Sequence, residues 1–382
     1  MGYFQNKRRT LIWLMIITFS LNMVRNCRSH GADGRIANFV FGDSLADVGN
    51  NNYIDTYLRA NMTPNGIDYG KPTGRYTNGY TILDMIAHQF GSKISCSPPY
   101  LDPSTKGSVI LQGVNYASGG SGILNETGRI QKARIPIDAQ LDNFANTIQQ
   151  IKSLIGEAAT KELLNKAFYP VVVGSNDFLM NFLLPRFLTI DEPYLSAEEF
   201  VGTMITKLRM QLTRLYNMGA RTIAVVNVGP IGCMPFERTV GVSLFGGEKN
   251  CSETANQAAL LYDARLRSLI TELSNNLKGS FFLHADVYRI FNDIVLNYRS
   301  YGFENGSAAC CSLAGPFHSV APCGPKSKVC SDRSKYVFWD SYHPSQAANV
   351  LIAKRLVDGD IKDISPINIR QLFTSQTNIR PS

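Results

Sequence analysis

The sequence predicts an α/β protein built on one parallel sheet with helices on both faces. Three observations carry this prediction. Short, near-continuous apolar runs alternate with segments of helical periodicity. Several of those runs stop at clusters of small polar residues, namely Gly42-Asp43-Ser44, Ser118-Gly119-Gly120 and Gly174-Ser175-Asn176. The 382 residues contain no internal repeat and no composition shift that would mark a linker, and hydrophobic residues make up 44% of them. One domain over residues 30–382 follows, with ample material for a core.

The N-terminal segment has a separate logic. Lys7, Arg8 and Arg9 precede the apolar run Leu11–Leu21, after which Asn22, Arg25, Asn26 and Arg28 restore polarity. Crossing a bilayer takes about 20 apolar residues, so this run reads as a cleaved secretory signal over residues 1–29. The mature chain should begin between residues 25 and 34; an uncleaved anchor is the alternative.

The elements then follow in order. Ile36, Phe39, Val40 and Phe41 form a strand that stops at Gly42-Asp43-Ser44. A stretch rich in Gly, Pro and Asn reaches Asn78 as loop. Ile82, Leu83, Ile86 and Phe90 give Tyr80–Phe90 helical spacing, with His88 on its surface. Ser108–Ala117 reads as a strand, Ile137–Ile155 as a helix, and Phe168–Val173 as a strand buried on both faces. Ser196 and Glu199 form a capping box for a helix to Met218, which Gly219 ends. Thr222–Val228 is a strand, Glu253–Leu277 a long helix, and Phe281–Ala285 the last strand, followed by a helix near Val287–Tyr298. Lys335–Trp339 leads into Asp340-Ser341-Tyr342-His343-Pro344, where His343 is suited to be N-cap and Pro344 the first helical residue of Ser345–Val357.

Charge excludes one class of function. The formal net charge of +8 includes Lys7, Arg8, Arg9, Arg25 and Arg28, with no acid in residues 1–29, so the remainder carries 8 − 5 = +3. That is no basis for nucleic-acid binding. Cysteine usage points to an oxidising compartment. With Cys27 lost in the signal, Cys310, Cys311, Cys323 and Cys330 crowd one loop. Adjacent Cys310 and Cys311 are poorly placed to bridge each other, so each should take Cys323 or Cys330, in either pairing. Cys233 and Cys251 can close another loop, leaving Cys96 odd. The loop lacks the paired C-x-x-C spacing of a zinc site. Asn61, Asn125, Asn250 and Asn305 head N-x-S/T sequons and are candidate glycosylation sites in an exported, extracellular protein.

Strand ends of a parallel sheet share one edge, so the three polar clusters can converge there. Asp340 and His343, three residues apart, can pair through one imidazole nitrogen and leave the other facing outward. A serine hydroxyl needs a base to become a nucleophile. His343 can take the Ser44 proton, and Asp340 can fix its tautomer. A tetrahedral oxyanion needs donors; the backbone N–H groups of Ser44 and Gly119 and the Asn176 amide are candidates.

Several blocks of sequence resemble the GDSL-type subset of the SGNH hydrolases, and within it the large plant lipase/esterase group. They are Phe41-Gly-Asp-Ser-Leu-Ala-Asp-Val-Gly-Asn50, Gly113-Val-Asn-Tyr-Ala-Ser-Gly-Gly-Ser-Gly-Ile123, Gly174-Ser-Asn-Asp177 and Asp332-Arg-Ser-Lys-Tyr-Val-Phe-Trp-Asp-Ser-Tyr-His-Pro344. Thr73–Gly79 and Gly229–Cys233 match as well, and the resemblance covers about residues 36–360. It implies a flavodoxin-like three-layer α/β/α sandwich. It also implies Ser44 as nucleophile and oxyanion donor, Asp340 and His343 as the rest of a triad, and Gly119 and Asn176 as further donors. The second block holds two adjacent glycines, so Gly120 is the alternative to Gly119. The G-x-S-x-G elbow of the α/β-hydrolases is absent.

The expected function is a secreted esterase or lipase acting on carboxylic esters through an acyl-enzyme. No cofactor or metal, no nucleic acid and no stable membrane insertion after signal cleavage are expected. An acyltransferase on the same machinery, or a secreted binding or defence glycoprotein, is the alternative. Acyl-lipids, polyesters, acetylated sugars and phenolic esters are all open as substrates.

Overall fold

The computed structural model describes residues 36–91, 97–185, 195–245, 250–313, 317 and 322–378. Its central sheet follows the predicted strands. β1 (Phe41–Gly42), β2 (Phe168–Val172), β3 (Thr222–Val226) and β4 (Phe281–Ala285) lie side by side in that order and in parallel. The registers are Phe41↔Val171, Val171↔Val225 and Val225↔His284. Every residue of β2 is buried, as a strand covered on both faces must be.

The helices form two packed groups. α2 (Ile137–Ile155) packs on α3 (Glu157–Lys166) and α4 (Ala197–Asn217), and α4 on α6 (Glu253–Asn276). α1 (Ile82–Phe90) packs on α8 (Gln346–Asp358), which also meets α7 (Val287–Leu296) and α9 (Ile369–Asn378). Capping follows the sequence signals: Ser196 and Glu199 cap α4 reciprocally, and Thr81 and Asp84 do the same for α1. Phe39, Phe41, Tyr116, Phe144 and Tyr169 stack as one aromatic cluster beneath β1. None of the helices among the described residues is long and apolar enough to cross a membrane.

Several elements differ from the sequence reading. Residues 107–112 form a 3-10 turn, and only the second half of the expected Ser108–Ala117 strand runs beside β1. There Val40 donates its N–H to the Val114 carbonyl (3.0 Å), and Tyr116 donates back to Val40 (2.8 Å). This segment runs parallel to β1 on its outer side, while later strands add on the other side, so the order of strand addition reverses between the two. Clefts in open α/β sheets form at such a switch point. Phe281–Ala285 is not the last strand: β9 (Ile364–Ser365) adds antiparallel to β4. His343 is not the N-cap of α8; that role falls to Ser345, whose Oγ accepts from the Ala348 N–H. His343 instead lies in a tight turn after β8 (Tyr336–Phe338), and the chain returns so that Ser345 donates its N–H to Val337 O (2.9 Å). His88 is half-buried, its ring edge-on to Tyr80. α3, α5 (Pro235–Phe245) and α9 are helices that the periodicity did not single out.

The Cys-rich segment carries short strands: β5 (Asn305–Ala309) pairs with β8, and β6 (Cys311–Ser312) with β7 (Lys328–Val329). Disulfides join Cys310 to Cys330, Cys311 to Cys323, and Cys233 to Cys251. The first two select one of the two pairings left open. Cys27, Cys96 and the signal region lie outside the described residues.

Candidate active site

Ser44 stands in the tight turn that follows β1. The Asp43 carbonyl accepts from the N–H groups of Ala46 (3.1 Å) and Asp47 (2.9 Å), which closes the turn and lifts Ser44 out of it. Asp43 N–H donates to Val172 O (3.0 Å), tying the turn to β2. His343 and Asp340 come from the turn after β8, where the Asp340 Oδ1 accepts the N–H groups of Tyr342 (3.0 Å) and His343 (2.9 Å).

These residues meet in one line. Ser44 Oγ lies 2.8 Å from His343 Nε2, and His343 Nδ1 lies 2.8 Å from Asp340 Oδ1. Burial acts to raise the Asp340 pKa, but the adjacent imidazole and the hydrogen bonds outweigh it and hold the carboxyl below its usual range. Asp340 is therefore an anion at neutral pH, able to stabilise an imidazolium. Its Oδ2 accepts from Cys323 N–H (3.4 Å), linking the Cys311–Cys323 bridge to the carboxylate. The Tyr76 ring lies 5.2 Å from the His343 ring and limits its rotation.

Asn176 sits in the helical turn Ser175–Asp177 just past β2 and donates one amide hydrogen to Ser121 O (2.9 Å). Its second amide hydrogen remains available at the cleft wall. Gly119 does not fit the donor role expected of it. Its N–H is committed to Asp47 Oδ2 (3.0 Å) and its position is walled off by Tyr76. Gly120 lines the cleft, and among the described residues the N–H groups of Ser44 and Gly120 have no hydrogen-bond acceptor. The alternative glycine is the one with an open amide.

The cleft beside Ser44 has a volume of about 360 Å³. Leu45, Leu58, Leu179, Met180, Met234 and Phe236 form apolar walls, and Ser44, His343 and Asn176 contribute polar groups to the lining. Leu179 and Met180 belong to a π-helical segment, Phe178–Leu183, that continues from Asn176. Such irregular turns are frequent at functional sites. Among the described residues, His, Cys, Asp and Glu form no cluster suited to a metal ion. Of the sequon residues, Asn61, Asn125 and Asn250 are exposed and Asn305 is half-buried.

Three further carboxylates surround the site without having been singled out by role. Asp43, Asp47 and Asp177 are buried, and burial raises their pKa values to about 7, about 6 and about 6, against partial compensation by backbone N–H groups. All three lie inside the sequence blocks quoted above, which was the available signal; their partners are set by tertiary contacts.

Comparison with known proteins agrees with this geometry. The family model described as GDSL-like Lipase/Acylhydrolase matches residues 39–356. GDSL esterase/lipase At4g16230 of Arabidopsis thaliana is 55% identical over 90% of this chain and 92% of its own length. Two more from the same plant, At2g23540 and At3g50400, are 45% identical (95% of this chain, 94% of the relative) and 47% identical (88% and 90%). With the motifs, the parallel sheet and these relatives in agreement, the chain belongs to the GDSL-like lipase/acylhydrolase family and is a hydrolase of ester bonds.

Proposed function

We propose that the protein is an exported serine esterase that hydrolyses carboxylic esters through an acyl-enzyme on Ser44. The observation that carries this reading is the continuous hydrogen-bonded line Ser44–His343–Asp340, whose Ser44 and His343 line a largely apolar cleft. Ser44 Oγ attacks the ester carbonyl while His343 Nε2 takes its proton. Asp340 holds the imidazole and balances its charge. The tetrahedral oxyanion is received by the Ser44 N–H, the Gly120 N–H and the Asn176 amide. On collapse, His343 gives the proton to the leaving alcohol. Water then enters and attacks the acyl carbon as His343 takes one of its protons; collapse breaks the Ser44 Oγ–acyl bond, His343 returns the proton to Ser44 Oγ, and the acid leaves. Each step uses only these groups and water.

The lining supports a substrate that is neutral and apolar on at least one side of the ester. The described walls contain no Lys or Arg to receive a phosphate or a second carboxylate. Export is supported by the basic-apolar-polar order of the first residues and by the three disulfides. N-terminal sequencing of secreted protein should start between residues 25 and 34; a start at Met1 would refute it.

The test is turnover of p-nitrophenyl esters of increasing acyl length by the wild type and Ser44→Ala. Activity that vanishes in Ser44→Ala supports the reading; activity that survives refutes it. Product analysis with an added alcohol separates hydrolysis from acyl transfer.

A further inference from the structure

The oxyanion-bearing loop, residues 118–124, presents a problem that the mechanism leaves open. It contains Gly119, Gly120 and Gly122. Two of these are required by close approach. A Cβ on Gly119 would lie 2.1 Å from the Tyr76 hydroxyl oxygen, and one on Gly122 would lie 2.6 Å from both Asp177 carboxylate oxygens. A run this rich in glycine has much conformational freedom, yet a preorganised donor has to be fixed before the reaction begins. Something outside the loop has to hold it.

We propose that Asp47 and Asp177 are positioning residues of the oxyanion hole, two buried carboxylates that grip the 118–124 loop from opposite ends and so aim the donors of Gly120 and Asn176. The proposal rests on the serine-esterase reading above.

The contacts divide cleanly. At the first end, Asp47 Oδ2 accepts the Gly119 N–H (3.0 Å), while Oδ1 accepts the N–H groups of Gly49 (2.7 Å) and Asn50 (2.8 Å). Asn51 reinforces this end: its Nδ2 donates to Gly119 O (3.0 Å) and its Oδ1 accepts from Ser118 Oγ (2.6 Å). At the other end, Asp177 Oδ2 accepts the Ile123 N–H (2.9 Å), and Oδ1 accepts the Leu124 N–H (2.9 Å) and the Thr127 hydroxyl (2.7 Å). Asn176 bonds the middle of the loop at Ser121 O.

Chain position makes the arrangement specific to the donors. Asp47 follows Ser44 by three residues, and Asp177 follows Asn176 by one. Each carboxylate is thus carried on an element that itself bears a proposed donor. The loop donor, Gly120, is fixed relative to both. Asp47 also occupies the Gly119 N–H, whereas among the described residues the next amide, that of Gly120, has no acceptor. Both carboxylates are fully buried, a costly placement that several N–H donors partly offset. A buried carboxylate is an expensive way to hold a turn, and it is one that grips backbone N–H groups with short, charge-assisted bonds.

The test uses Asp47→Asn and Asp177→Asn, which keep shape but replace one acceptor oxygen by a donor NH₂; Asp177→Asn must lose an N–H···O bond at the loop, to Ile123 or Leu124, and Asp47→Asn must lose one either to Gly119 or to Gly49 and Asn50. Three quantities are read on the folded, purified enzyme: kcat and KM with a p-nitrophenyl ester, affinity for an aryl trifluoromethyl ketone, and melting temperature. The ketone adds the Ser44 hydroxyl across its carbonyl, the proton passes to His343, and the resulting hemiketal oxyanion occupies the hole. Positioning predicts that kcat and ketone affinity fall together by about 10- to 100-fold with KM within about threefold. A folded variant with a lower melting temperature but wild-type kcat and ketone affinity would overturn the proposal. Should Asp177→Asn fail to fold, Thr127→Val removes one Asp177 contact, together with the acceptor of Asn181 Nδ2, more gently; it should lower kcat and ketone affinity together by about 2- to 5-fold, and no change in either would overturn the Asp177 half. Should Asp47→Asn fail to fold, Asp47→Ser, which keeps one shorter acceptor, is read in the same way, and no change in either quantity would overturn the Asp47 half. Ser44→Ala separates the levels: turnover surviving there refutes the serine-esterase reading, whereas a dead Ser44→Ala beside fully active Asn variants refutes only the clamp.

Discussion

Replacing Asn176 by Ala separates a catalytic donor from a turn residue. The structure allows both effects to be sized. Among the described residues the side chain makes one hydrogen bond, to Ser121 O at 2.9 Å, and the residue is largely buried. Losing a bond of that kind, with the carbonyl left to find water or another donor, costs about 1 kcal/mol, up to about 3 if it finds none. For a chain this long that shifts the melting temperature by only about 2–4 °C per kcal/mol. The core loses no large side chain, so the fold should persist. On the proposed mechanism the second amide hydrogen receives the developing oxyanion. Removing one such donor lowers kcat by about 10²–10³, or about 2.7–4 kcal/mol of transition-state stabilisation, with KM little changed. The assay is steady-state hydrolysis of a p-nitrophenyl ester beside thermal unfolding of the same preparation. A kcat within about threefold of wild type, far short of the loss expected for a true donor, would refute the assignment of Asn176.

Two other predictions rest on different contacts. Asp43 is buried with its Oδ2 unpartnered among the described residues, and burial raises its pKa from 3.8 to about 7. The folded state therefore favours the neutral acid; that stability is present below pH 3.8 and is lost as pH rises through about 7. The melting temperature of Asp43→Asn relative to wild type should accordingly rise between pH 5 and pH 8, and a pH-independent difference would contradict this. Replacing Cys311 and Cys323 together by Ala should cost about 2–4 kcal/mol, because the bridge closes a loop in the unfolded chain. It should also lower kcat more than KM, because Cys323 N–H is bonded to Asp340; an unchanged kcat in the folded double variant would show that the bridge does not support the triad.

Much of this was legible in the sequence for definable reasons. β2, β3 and β4 are short, mostly apolar and largely buried, and helices with capping boxes announce their own starts, as Ser196 and Glu199 do. Ser44, Asp340 and His343 stand in blocks whose residue types fit one chemistry. The misses arise where local pattern does not decide. Ser108–Gln112 is an apolar run that serves equally as a 3-10 turn. β9 has two residues and exists only because β4 offers an edge. Pro344 after it makes His343 look like a helix start, yet its backbone belongs to the turn that Asp340 holds. Adjacent Gly119 and Gly120 are equivalent in sequence; the carboxylate that takes one amide comes from Asp47, 72 residues away along the chain.

The most direct test of the central claim is to trap the acyl group. The wild type would be mixed with a slowly deacylating p-nitrophenyl ester, quenched in acid, digested and examined by mass spectrometry. The account predicts one acyl adduct, on Ser44, appearing with a burst of nitrophenol equal to the enzyme present. It also predicts that His343→Ala abolishes both adduct and burst while the protein stays folded. Rapid hydrolysis with no adduct on Ser44, or an adduct that forms as fast without His343, would contradict it.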